Sequence, residues 1–135
     1  MLWIILSLLI VFVFAIIIDG KIVKLLTKEE QDEYKKIIVK KGTKLIPFLI
    51  ALFLVYAALI KLTQLSPIII SLIFIIILIG ALMFNAMKSS NKLKEANFNR
   101  NFINKYIIRN LICYTLYGIT LIYFTFYIFD FFNRS

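Results

Sequence analysis

LIPFLIALFLVYAALIKLTQLSPIIISLIFIIILIGALMF, residues 45–84, holds two long apolar runs separated by the short step Lys61-Leu62-Thr63-Gln64-Leu65-Ser66-Pro67. Apart from Lys61 the whole stretch is uncharged. Crossing a hydrocarbon layer of about 30 Å takes about 20 helical residues at about 1.5 Å each, with about 17 as the lower limit. Residues 67–84 meet that requirement. Residues 45–60 meet it once Leu62 and Thr63 are added and Lys61 snorkels its ammonium to the interface. Ser66 suits a helix N-cap and Pro67 a first helical position, so the stretch predicts a tight hairpin of two membrane-spanning helices.

The same composition recurs on both sides, in residues 2–18 and 111–129. The predicted fold is therefore all-α, a single integral membrane domain over residues 1–135. It is a four-helix bundle of two hairpins, with spans at about 2–18, 45–63, 67–84 and 108–129 and long basic loops at about 19–44 and 85–107. A hydrophobic content of 62% and a mean hydropathy of +0.95 lie well above the roughly half-apolar composition of soluble domains.

Charge placement predicts orientation. Residues 19–44 carry eight Lys, and residues 85–110 carry Lys88, Lys92, Lys94, Arg100, Lys105 and Arg109, whereas only Lys61 and Arg134 fall on the other side. By the positive-inside rule both basic loops are cytoplasmic and both termini lie outside. Met1-Leu2-Trp3-Ile4 has no positive segment before its apolar core, and Ala15-Ile16-Ile17-Ile18-Asp19 has no small-x-small step, so a cleaved signal peptide is not expected. The net charge of +9 flanks apolar runs, which points to anionic lipid head groups, at about 1 kcal/mol per cation, rather than to nucleic acid. Lys40, Lys41, Lys44, Lys88, Lys105 and Arg109 are the residues assigned to head-group contact. With 27 Ile and abundant Lys and Asn, the composition is that of an AT-rich genome and suggests a multi-pass protein of a bacterial cytoplasmic membrane.

The loops carry helix signals of their own. Thr27-Lys28-Glu29-Glu30 is a capping box with acidic residues at the positive helix end. Beyond it Tyr34, Ile37, Ile38 and Lys41 share one face, suited to lie on the inner membrane surface or to dock on the second loop, before Gly42-Thr43 breaks the helix. In the second loop Lys88-Ser89-Ser90-Asn91 is the expected breaker. Phe98, Phe102 and Tyr106 recur at four-residue spacing, and the last helix is expected to start near Asn97 or Asn99.

The run Gly20-Lys21, Thr27-Lys28-Glu29-Glu30 and Tyr34-Lys35-Lys36 resembles small Firmicutes membrane proteins of unknown function, whose first span is followed by a Lys-Glu-Glu…Tyr…Lys-Lys segment. The likeness covers about a third of the chain, and this sequence adds an aromatic fourth span. It implies residence in a bacterial membrane and transfers no site.

Catalytic constellations are missing from the sequence. There is no His, the single Cys113 sits inside an apolar run, and no phosphate-binding Gly loop or nucleophile-base pair is present. Glu29, Glu30, Asp32 and Glu33 interleave with Lys as a solvated helix face rather than a metal site. No ionisable residue lies deep in a span; Asp19 and Asp130 stand at opposite edges, and Asp130 is spaced to pair with Arg134. Neither an enzyme nor a proton-coupled antiporter is expected, and no cofactor or metal.

The fourth span is the most distinctive. Tyr114, Tyr117, Leu121, Phe124, Ile128 and Phe131 form a stripe, and Gly118 with Thr115 and Thr125 offers a smaller face where a helix could approach. Tyr114, Tyr117, Gly118 and Phe124 are the candidate partner-helix or recognition residues. Two functions compete: a non-enzymatic accessory or toxin self-immunity protein, with a membrane protein or toxin as partner, and an oligomeric, holin-like pore or small channel. Reporter fusions at Lys36 and Lys94 are expected to read as cytoplasmic and one at Gln64 as external; a cytoplasmic C-terminus would overturn the assignment.

Overall fold

The computed structural model describes residues 2–134, with the backbone alone for Ile4. Met1 and Ser135, the terminal residues that the charge pattern puts outside, lie beyond the described residues. Four helices follow in order: α1 (Leu2–Val23), α2 (Lys28–Leu62), α3 (Pro67–Glu95) and α4 (Arg100–Arg134). All four are long and apolar enough to cross a membrane. At about 1.5 Å per residue, the 35-residue helices α2 and α4 and the 29-residue α3 are longer than a hydrocarbon layer. Their surplus projects at the end that carries most of the Lys and Arg, called the basic end below; the other is the hairpin end.

The principal packing runs α2 on α3, α3 on α4 and α4 on α1. Helices α1 and α2, although joined by only residues 24–27, are not principal neighbours along their length. They meet through side chains at the basic end. There Ile22 and Leu26 after the first span, Tyr34 from α2, Leu93 from α3 and Phe98, Phe102, Ile103 and Tyr106 from the α3–α4 junction close a hydrophobic core, flanked by Ile37 and Ile38. Leu93 is fully buried. Tyr34 stands edge-on to both Phe102 (5.5 Å between ring centres) and Tyr106 (6.1 Å), a geometry that adds about 0.5–1.5 kcal/mol per pair beyond buried area. The two basic segments thus fold onto each other, the second of the two placements open to the Tyr34 face.

Local signals account for most boundaries. Thr27 caps α2 with the reciprocal capping box: its hydroxyl accepts from the Glu30 amide at 3.3 Å and its amide donates to the Glu30 carboxylate at 2.8 Å. Pro67 opens α3, and Ser66 occupies the cap position without a side-chain hydrogen bond. Asn99 starts α4 by accepting from the Asn101 amide at 2.9 Å.

Two expected breaks are absent. Helix α2 runs unbroken through Gly42-Thr43 and past Pro47. A mid-helix Gly costs only about 1 kcal/mol, and the Thr43 hydroxyl donates to the Val39 carbonyl at 2.8 Å. Inside hydrocarbon no solvent would satisfy an unwound backbone, which holds the helix together across Pro47. Helix α3 likewise continues through Ser89-Ser90, because both are buried and bond back to carbonyls of their own helix, Ser89 to Asn85 at 2.9 Å and Ser90 to Met87 at 2.8 Å.

The turn comes instead at Asn97, whose φ of 60° is left-handed. Its amide donates to the Lys94 carbonyl and that of Phe98 to the Leu93 carbonyl, both at 3.1 Å. This is a Schellman motif, with Asn in the position usually held by Gly and with Phe98 and Leu93 supplying its hydrophobic contact. Asn97→Gly is expected to leave stability unchanged or slightly raised, while Asn97→Val, forced into a left-handed conformation, costs about 1–2 kcal/mol. Equilibrium unfolding in detergent checks both; equal values for the two variants would refute the strain argument.

Candidate functional site

At the basic end the last helical turns of α1 bring a carboxylate to the start of the fourth span. The Arg109 guanidinium donates through Nη1 to Asp19 Oδ1, and the Tyr34 hydroxyl donates to the same oxygen at 3.3 Å. Helices α1, α2 and α4 therefore converge on one carboxylate oxygen. The Arg109 guanidinium also stands 5.8 Å from the Tyr106 ring centre, close enough for cation–π attraction. The Arg109 side chain is 18% exposed and that of Asp19 41%. Burial, reinforced by the Asp19 carboxylate and by Tyr106, pushes the Tyr34 phenol well above the ordinary tyrosine value. Tyr34 is thus a neutral donor at physiological pH. Burial also raises Tyr106, partly offset by Ser89 and Asn110 beside its hydroxyl.

These groups line a cavity of about 260 Å³ that Asn85, Ser89, Asn110 and Tyr114 complete. Asn110 is buried, and its Nδ2 and the Nε of Arg109 have no hydrogen-bond partner within the protein. Lys35, Ile38, Val39 and Gly42 also line the cavity, so its wall combines the Asp19–Arg109 pair, a further cation and several neutral polar groups. Among the described residues no group of His, Cys, Asp and Glu is arranged to hold a metal ion.

Arg109, assigned to head-group contact from the sequence, bonds to Asp19 and stands beside the Tyr106 ring, partners suited to a planar guanidinium. Helical periodicity and capping do not pair Asp19 with Arg109. A signal was available: both fall at the same membrane interface in the predicted topology, and Arg109 is an Arg in a Lys-rich background. Of the remaining head-group residues, Lys40, Lys44, Lys88 and Lys105 are exposed and Lys41 is half-buried. Lys41, Lys44 and Lys88 line one cleft between α2 and α3; Lys40 and Lys105 do not.

The four aromatic-face candidates serve separate surfaces. Gly118 is buried against α3, where a Cβ would stand 3.5 Å from the Ile79 side chain, so the small face is used inside the chain. Tyr114 faces the polar cavity, and Tyr117 is half-buried. Phe124 joins Tyr56, Pro67, Ser71, Phe129 and Phe132 around a groove of about 380 Å³ toward the hairpin end. Beside that groove the Tyr56 hydroxyl and Ser71 hydroxyl share a 2.9 Å hydrogen bond that links α2 to α3. Tyr56 also packs on Phe74, 4.5 Å between ring centres. Asp130 and Arg134 pair at 3.1 Å on the exposed last turn, worth at most about 0.5 kcal/mol. Cys113 is buried, as its apolar neighbours imply.

No family model, curated protein or solved structure matches the chain.

The convergence on Asp19 predicts coupling. Asp19→Ala and Arg109→Ala are each expected to destabilise the fold, and the double variant to lose less than the two losses added, with a coupling of about 0.5–3 kcal/mol. A double-mutant cycle from unfolding in detergent measures it; strict additivity would show that the pair does not act as one unit.

Proposed function

We propose that the chain is a non-catalytic accessory protein of a bacterial cytoplasmic membrane that protects its own cell by engaging a membrane-active polypeptide. In this reading the basic end is cytoplasmic and the hairpin end external. The observation that carries it is the groove bordered by Tyr56, Phe124, Phe129 and Phe132. Aromatic rings of this kind supply large rigid contact surfaces for a helical or extended peptide. The groove lies at the hairpin end, where a polypeptide arriving from outside would first meet the protein.

Catalysis finds no support in the ionisable groups at the basic end, since Asp19 is committed to Arg109 and Tyr34. A pore reading gains none from the hydroxyls of α4. Thr115, Thr120 and Thr125 donate to the Leu111, Leu116 and Leu121 carbonyls of their own helix at 2.7, 2.8 and 2.9 Å, which spends their donors inside the helix rather than on a water path.

If a membrane-active toxin is encoded beside this gene, expression in a strain sensitive to it is expected to raise survival, and Phe124→Ala with Phe132→Ala to reduce that protection at least tenfold at equal protein level; a gene with no toxin neighbour counts against the proposal. Unchanged killing by the toxin, or full protection by the double variant, would sink the proposal. Conductance of the purified chain in planar bilayers would favour a pore instead.

A further inference from the structure

Between α2 and α3 at the basic end lies a second, larger cleft of about 510 Å³, lined by Lys41, Lys44, Leu45 and Phe48 from α2 and by Ile77, Ala81, Phe84, Asn85 and Lys88 from α3. Its composition is divided along its length. The part lined by Phe48, Ile77, Ala81 and Phe84, its floor, is apolar, and Lys41, Lys44, Lys88 and Asn85 line the end nearer the basic loops, its rim. No ion pair involves Lys41, Lys44 or Lys88 among the described residues. Lys88 stands 4.7 Å from the centre of the Phe84 ring, which holds its stem against the cleft wall. Lys41 is held below the ordinary lysine value by burial and by the positive charges of Lys88, Lys92 and Lys44, with Glu95 opposing weakly. Like charges have thus been gathered without a matching anion from the chain, since the nearby Glu95 is already bonded to Lys92 at 3.0 Å.

Depth fixes which anion fits. At about 1.5 Å of rise per residue, Lys44 lies about 26 Å along α2 from Lys61 at the hairpin end, close to the thickness of the hydrocarbon layer. The three lysines therefore stand at head-group level while the apolar floor descends into the hydrocarbon. A soluble anion would satisfy the rim and leave the floor bare. A lipid satisfies both: phosphate oxygens accept from ammonium groups, and an acyl chain covers Phe48, Ile77 and Ala81.

We propose that this cleft is a binding site for a single anionic phospholipid, its phosphate held by Lys41, Lys44 and Lys88 and one acyl chain laid between α2 and α3. It differs from diffuse attraction of the whole basic face, because only three of the many cations line it and because it needs an open channel beneath them. The site also supplies to the α2–α3 seam an apolar filling that the side chains leave out.

The full chain, purified in a neutral detergent, is titrated with phosphatidylglycerol, phosphatidylcholine or inorganic phosphate, and bound adducts are counted by native mass spectrometry. One phosphatidylglycerol is expected to be retained preferentially. The triple substitution Lys41→Gln, Lys44→Gln, Lys88→Gln is expected to weaken it about a hundredfold, from about fivefold per lysine. A control of equal charge change on exposed lysines, Lys24→Gln, Lys28→Gln, Lys36→Gln, should lose less than threefold. Ala81→Phe, which keeps every charge and obstructs the floor, is expected to release the lipid as well, with circular dichroism verifying that each variant is folded. Equal binding of the two lipids, equal loss in the control triple, or unaltered binding by Ala81→Phe would each overturn the proposal. Displacement by inorganic phosphate at comparable concentration would reassign the cleft to soluble anions.

Discussion

A carboxylate at the end of the first span and a guanidinium at the start of the fourth, 90 residues apart in the chain, meet at one oxygen atom. With only 18% of its side chain exposed, the Arg109 guanidinium would be costly without a partner, and Asp19 supplies one. Together they cancel, and the Tyr34 hydroxyl supplies the third contact. This constraint organises the chain, since α1 has α4 as its principal neighbour rather than the helix that follows it. The short link over residues 24–27 then only has to return the chain to the start of α2 at the same end of the molecule.

Around that contact the two ends are held together by different forces. The basic end has a core like that of a small soluble domain, with Leu93, Phe98, Phe102, Ile103 and Tyr106 buried against Tyr34, and water outside it drives the packing. Toward the hairpin end lipid tails are as apolar as the side chains, so little is gained by burying them. There the seams depend on the Tyr56–Ser71 hydrogen bond, on aromatic stacking at Phe74 and on the close approach of Ile79 to Gly118. Large side chains such as Phe53, Leu54, Ile76 and Ile119 stay exposed to the lipid side.

What the sequence disclosed follows the range of the interactions concerned. The Thr27 capping box and the Pro67 helix start are local, set by residues within one turn, and each is found where the spacing puts it, while of the two starts open to the last helix, Asn97 and Asn99, it is Asn99 that caps. The breaks assigned to Gly42-Thr43 and Ser89-Ser90 rested on intrinsic propensity, which amounts to about 1 kcal/mol per residue and yields to hydroxyl bonds back to the helix at Thr43, Ser89 and Ser90 and to the burial of the two serines. Asn97 could have been recognised as the αL residue, as Asn tolerates positive φ better than most residues, but its neighbours Asn91 and Asn99 carry the same local signal. Selecting Asn97 needed Phe98 and Leu93 to be known as core partners. The Asp19–Arg109 contact joins distant segments, so periodicity and capping could not reveal it; topology and the choice of Arg over Lys were its only traces.

The division between the ends also bears on where recognition can evolve. A residue of the basic core touches several helices at once, so a substitution at Tyr34 or Tyr106 disturbs rings, ion pair and cavity together and is selected first for the fold. A residue bordering the hairpin-end groove has fewer such duties. Phe132 is exposed on the last turns of α4, where exchanging one large apolar side chain for another changes groove shape at little cost to packing. The lysine cleft combines both conditions: its helical scaffold is fixed by the α2–α3 seam, while Lys44 and Lys88 stand exposed at its rim. Rigid backbone beneath replaceable side chains lets a small membrane protein alter what it binds without altering how it folds.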